Sequence, residues 1–182
     1  MISIENIRYK QPAPETSIEL SSLLFFDIET TGLRPDRGAK IVEVAILGRN
    51  SEQFYWKKDA CKTDHTFPFT KISEHLQRGV VVGHNLGFDF WFVAYEADRV
   101  GTAGPNLRFI DTLHLARRIL KRKDGFQLGS LLKRFDIRCE GELHTASTDA
   151  HATRALFWKL VELGGITTVG EAGMKQLNWS NF

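Results

Sequence analysis

Asp27 and Glu29 in FFDIETTGL, Asp89 in GHNLGFD and Asp149 in HTASTDAHAT are acids placed where elements begin or end, and His144 lies five residues ahead of the last. Carboxylates gathered at one point repel one another unless cations stand between them. Hard divalent ions with oxygen ligands, magnesium first, are the natural counter-charge. A histidine beside such a centre titrates near neutrality and can take a proton from water. The chemistry that suits this set is metal-assisted hydrolysis of a phosphodiester. The five residues come from three distant stretches, so the elements that carry them must bring them together.

Those elements are legible in outline. The apolar run from Ser22 to Ile28 predicts a buried strand, Lys40 to Leu47 alternates as the next, with Glu43 facing solvent or an edge, and Gln53 to Lys57 makes a third. A helix follows from Thr70 and ends at Gly79, then a fourth strand over Val80 to Gly83, parallel to the first. Asn85 can cap a helix that is apolar almost all round and therefore buried on several sides. Phe109 and Ile110 predict a fifth strand. Helices follow around 112–120, 127–135 and 147–163, and Thr168 with Glu171 makes a capping box for a last short helix. The class is α/β, a three-layer fold with a mixed five-stranded sheet flanked by helices.

On a strand, residues two apart share a face, so Asp27 and Glu29 point together, and Thr30, Thr31 and Gly32 then break the strand beyond them. Ligands collect outside that carboxyl end in open α/β sheets. Asp89 falls in the first turn of a helix that follows a buried strand. Asp149 shares a helical face with Ala152, Thr153, Leu156 and Leu160, the face that packs on a sheet. His144 cannot share that face on a regular helix, which places it on the preceding loop, over the site.

Composition sets the frame. A chain of 182 residues with 42% hydrophobic and 25% charged residues makes one domain with a proper core, and no apolar run approaches a membrane span. Two cysteines make no disulfide framework, and Cys61, His65, Cys139 and His144 complete no zinc pattern, so a reducing cytoplasm is expected. The net charge of +2 is undiagnostic, but Arg117 to Arg138 holds eight basic and two acidic residues, a local +6. That stretch reads as a solvated helical surface or, beside a nuclease centre, as a phosphate-tracking stripe.

FDIETTGL, GHNLGFDFWFV and the H-x-x-x-x-D of His144 and Asp149 resemble, in order and spacing, the three motifs of the DnaQ-like DEDDh 3′–5′ exonucleases, which have a ribonuclease H-like fold. DTLHLARR from Asp111 resembles the segment that family places between its second and third motifs. The resemblance runs from about Leu23 to Leu163. It implies that Asp27, Glu29, Asp89 and Asp149 hold two Mg2+ ions, with Mn2+ as a substitute, and that His144 is the general base. It further implies that Thr30, Thr31, Gly32 and Leu33 meet the 3′-terminal nucleotide, Leu33 wedging against its base, with Asn85 and Phe88 lining the same cleft. Asp111 matches a position outside the metal set and is expected to be structural.

The resemblance implies 3′ ends of single-stranded DNA or RNA as substrates, DNA favoured, and a DNA polymerase subunit as a partner. The same motifs also suit an RNA or short-oligonucleotide exonuclease, and a binding module that keeps the fold without turnover stands as a rival of another class. Two departures bear on substrate choice: a short 51–79 segment without the family's HGI-type stretch, and Thr145 directly after the histidine. Residues 1–20 read as an N-terminal arm or edge segment, 21–165 as the exonuclease domain, and 166–182 as a C-terminal helix and tail. In that tail Gln176, Trp179 and Phe182 have the spacing of a sliding-clamp peptide, against the plainer reading of aromatics packed on the domain.

Overall fold

The computed structural model of the chain describes residues 12–49, 52–59, 67–121, 124–139, 141 and 143–179. Cys61, His65, Arg122, Lys123 and Phe182 therefore lie outside the described residues, as does most of the expected N-terminal arm. Strands β1 (Leu23–Thr30), β2 (Ile41–Leu47) and β3 (Glu52–Lys57) form the meander that the apolar runs predict. Helix α1 (Phe69–Leu76), strand β4 (Val80–Gly83), helix α2 (Leu86–Arg99) and strand β5 (Arg108–Asp111) follow. Helices α3 (Thr112–Leu120), α4 (Leu128–Arg134) and α5 (Ala146–Gly164) precede a two-residue strand β6 (Lys175–Gln176).

The sheet order is β3-β2-β1-β4-β5-β6, with β1, β4 and β5 parallel and the other neighbours antiparallel. Strand alternation splits the core in two. Leu23 and Phe25 of β1 face α3, α4 and α5, with Leu156 and Phe157 among their fully buried companions. Leu24, Phe26 and Ile28 face α1 and α2, with Ile72, Phe90 and Phe92. No helix among the described residues is long and apolar enough to cross a membrane.

Three elements differ from expectation. A sixth strand pairs Arg108 with Gln176 and Phe109 with Lys175. The Thr168–Glu171 box does form, with Thr168 N–H donating to the Glu171 carboxylate at 3.2 Å and Glu171 N–H donating to Thr168 Oγ1 at 3.2 Å. It caps a turn and no helix follows, because Gly173 takes φ +86° and redirects the chain into β6. Helix α2 is buried on one side only, leaving Tyr95 40% exposed. The end of the expected arm is tied down: Ile18 is buried, its N–H donates to Thr167 O at 2.8 Å, and Gly170 N–H donates to Pro14 O at 2.8 Å.

Candidate active site

Strand β1 pairs with β4 only from Leu23 to Phe25, yet runs on to Thr30. Asp27 and Glu29 therefore stand past the point where β4 has left the sheet for α2. Their odd positions put them on the face of Leu23 and Phe25, the face that α5 covers, and α5 carries Asp149 in its first turn. Asp89 arrives from the other layer. It sits in the first turn of α2, only 5% exposed, with its carboxyl beside the backbone of Ile28, between the two β1 acids.

The turn into α2 depends on Gly83, where a Cβ would come within 2.3 Å of Leu86 Cδ2 and 3.0 Å of Phe26 O. Asn85 then adopts a left-handed conformation (φ +66°) and its side chain makes no cap bond, contrary to expectation. Asp111 supplies the cap from the end of β5. Its carboxylate accepts from the Asn85 and Leu86 N–H groups at 3.0 and 3.1 Å, and from Leu113 N–H at 2.9 Å. One buried acid thus satisfies the first donors of both α2 and α3, and its structural assignment is consistent with this geometry.

At the third motif Thr145 is the N-cap of α5, its hydroxyl accepting from Thr148 N–H at 3.2 Å. The residue before it, His144, lies outside the helix with φ +78°, its N–H donating to Asp149 Oδ1 at 3.2 Å. One imidazole nitrogen and one carboxylate oxygen each from Glu29 and Asp149 lie within 4.8 Å of one another. All four acids hold their protons more tightly than free carboxyls. Burial comes first for Asp27, reinforced by Asp89, Asp149 and Glu29, and lifts it well above the ordinary range. Burial likewise pushes Asp89 up to about 8 and raises Glu29 and Asp149, the former helped by the charge of Asp149. A crowd of buried and half-buried oxygens that resist ionisation together is a donor set suited to hard divalent cations.

Of the six expected substrate contacts, Asn85 lines a cleft of about 510 Å3 together with Asp27 and Asp149. Phe88 is half-buried beside Phe92 in the same helical turn as Asp89. The TTGL turn is braced by Thr30 Oγ1 donating to Gly32 O (2.7 Å) and Lys40 N–H donating to Thr31 Oγ1 (3.0 Å), and it leaves Leu33 77% exposed. The following 3-10 turn, Pro35–Arg37, packs on α2, which brings the turn beside Phe88's helix.

Several residues at the site carried no clear sequence signal. Glu43 is not at a solvent face: it is 4% exposed, opposite Glu29 in the β1–β2 ladder, bonded to Tyr55 Oη at 3.1 Å and Lys57 Nζ at 3.2 Å. His84 ties the far wall of the cleft together, Nδ1 to Thr112 Oγ1 and Nε2 to Phe126 O, both at 2.9 Å. Arg117 and Phe126 line that wall. The sequence placed Arg117 only within a basic stretch. Trp179 does not stand free as a docking peptide would: its Nε1–H donates to Pro105 O at 2.7 Å and its ring meets Phe90 edge-on at 6.1 Å.

A family model described as Exonuclease (RNase_T) matches residues 56–157, more than half of the chain. The 3'-5' exonuclease DinG of Bacillus subtilis is 28% identical over 160 residues, 75% of this chain and 17% of that protein. The PolC-type DNA polymerase III of Listeria monocytogenes is 27% identical over 169 residues, 80% of this chain and 12% of that protein. The chain thus spans under a fifth of the length of these relatives. Exonuclease X in complex with 5′ overhanging duplex DNA superposes with a TM-score of 0.54 at 20% identity, covering 83% of this chain and 98% of that one. Cell-death related nuclease 4 gives 0.62 at 14%, covering 89% and 82%.

Proposed function

The chain belongs to the exonuclease family and has its ribonuclease H-like fold, and from that premise we propose that it removes nucleotides one at a time from the 3′ end of single-stranded nucleic acid, DNA in preference. The observation that carries the reading is the meeting of Asp27, Glu29, Asp89 and Asp149 from three elements, with the His144 imidazole against Glu29 and Asp149. The PolC-type DNA polymerase III relatives support DNA as the substrate and a polymerase as the company this unit keeps.

Asp27, Glu29, Asp89 and Asp149 would hold two divalent ions, Mg2+ or Mn2+. Such ions, when bound, neutralise a scissile phosphate and make a water more acidic. His144, exposed at the lip and anchored through its own N–H to Asp149, takes the proton of the attacking water. Water attacks phosphorus in line, the P–O bond to the preceding 3′ oxygen breaks, and a nucleoside 5′-monophosphate leaves. The exposed Leu33 and the half-buried Phe88 bracket the terminal base, while the braced TTGL turn and Asn85 hold its sugar.

The test is direct. Single-stranded DNA and RNA of one sequence, labelled at the 5′ end, are incubated with the protein and magnesium or manganese. A ladder shortening from the 3′ end with release of 5′-monophosphates is expected, faster on DNA. No metal-dependent shortening of either strand, or cleavage at internal positions only, would sink the reading, and faster RNA trimming would reverse the preference.

A further inference from the structure

Resting on the exonuclease reading, we propose that Arg117 is a substrate contact of the cleft, gripping a backbone phosphate on the 5′ side of the bond to be cut. The structure sorts the basic stretch that the sequence left undivided. Arg118 turns away, its guanidinium donating to Glu171 O in the C-terminal turn. Arg134 lies over Phe135 at 6.0 Å. Among the described basic residues of that stretch, Arg117 alone lines the cleft that holds Asp27 and Asp149.

Arg117 is also held for such a task. Its guanidinium lies over the Phe126 ring at 5.8 Å. Phe126 is only 7% exposed, and its carbonyl is bound by His84 Nε2. His84 in turn reaches Thr112, whose hydroxyl donates to Gly83 O at 3.0 Å. The platform is therefore fixed to the end of β4, the element that delivers Asp89. A planar guanidinium steadied by a cation–π contact keeps its N–H edge for two phosphate oxygens and loses less freedom on binding than an unrestrained one.

Which phosphate it takes follows from the chemistry of a 3′ end. The terminal nucleotide ends in a hydroxyl, so the scissile phosphate is its only one. The acids claim that phosphate, and every other phosphate in the substrate lies upstream.

Two substrates separate this contact from the catalytic centre. The p-nitrophenyl ester of thymidine 5′-monophosphate carries the scissile phosphate alone; a single-stranded DNA oligonucleotide carries upstream phosphates as well. For Arg117→Ala, the ratio of oligonucleotide KM to ester KM is expected to rise on the order of tenfold. The salt dependence of oligonucleotide binding should lose about 0.7 of slope, the share of one single-strand phosphate. Arg117→Lys should recover part of the ratio, and Arg118→Ala should leave it at the wild-type value. An unchanged ratio, or equal losses on both substrates, overturns the assignment while leaving the exonuclease reading intact. Wild-type protein that turns over neither substrate overturns that reading and this inference with it.

Discussion

At the scale of single residues, the site is a balance between crowded acids and the cations they call for. Asp27→Asn removes one of those charges, so metal-dependent nucleotide release should fall to background while the metal-free protein stays as stable as wild type or becomes more so. Substantial activity in that variant would show that Asp27 is not a ligand. His144→Ala should slow turnover by ~10²–10⁴-fold with metal affinity retained; equal losses in both, by calorimetric titration and rate, would make the imidazole a ligand instead. The raised carboxyls also fix the sign of a pH effect. Without metal, folded Asp27 and Asp89 keep protons that the unfolded chain gives up above about pH 4, so stability should fall as pH rises from there through about 8, where folded Asp89 titrates. Magnesium should therefore raise the melting temperature more at pH 8 than at pH 5, and an equal rise at both would contradict the assignment.

At the scale of elements, Asp111 joins three pieces: the end of β5 and the first turns of α2 and α3. Its loss removes two helix caps at once and leaves buried N–H groups unsatisfied. Asp111→Ala should cost about 2–4 kcal/mol in urea unfolding, twice the usual single-cap effect. Because Asn85 and Asp89 ride on the α2 end, activity should fall too, with KM and kcat both affected. A loss under about 0.5 kcal/mol, the scatter of ordinary surface changes, would mean that the caps are replaced by water. By contrast Thr145 caps α5 alone, and its position beside His144 gives the departure at the third motif a local physical role.

At the scale of the whole molecule, the segments on either side of the central fold pack together. Strand β6 completes the sheet against β5, Ser17 bridges Thr168, and Trp179 rests over Gly104, where a Cβ would lie 2.2 Å from the indole. Gly104→Val should therefore dislodge the tail, lowering the melting temperature and raising protease sensitivity near residue 175, with the catalytic centre left in place. If that variant were as stable and as protected as wild type, the tail's packing would carry no weight. A sliding-clamp role for Gln176, Trp179 and Phe182 gains nothing here, since Trp179 is committed to Pro105 and Phe90 and Phe182 lies outside the described residues.

Local rules were enough for much of this. The apolar run from Ser22 to Ile28 marked β1, and the two-residue repeat of any strand set Asp27 and Glu29 on one face of it. The apolar stripe behind Asp149 identified the side of α5 that packs on the sheet, and the bar on His144 sharing that stripe put it on the loop where it is found. Such features are periodic, and a period can be read without knowing what the other face meets. Glu43, Asp111, Arg117 and β6 are different. Glu43 is buried because Tyr55 and Lys57 cross over it, Asp111 caps helices 25 residues apart from it in one case, and Arg117 faces the cleft because Phe126 is pinned there by His84. Each role depends on a partner supplied by a distant stretch, and only folding the chain into three layers decides which partner that is.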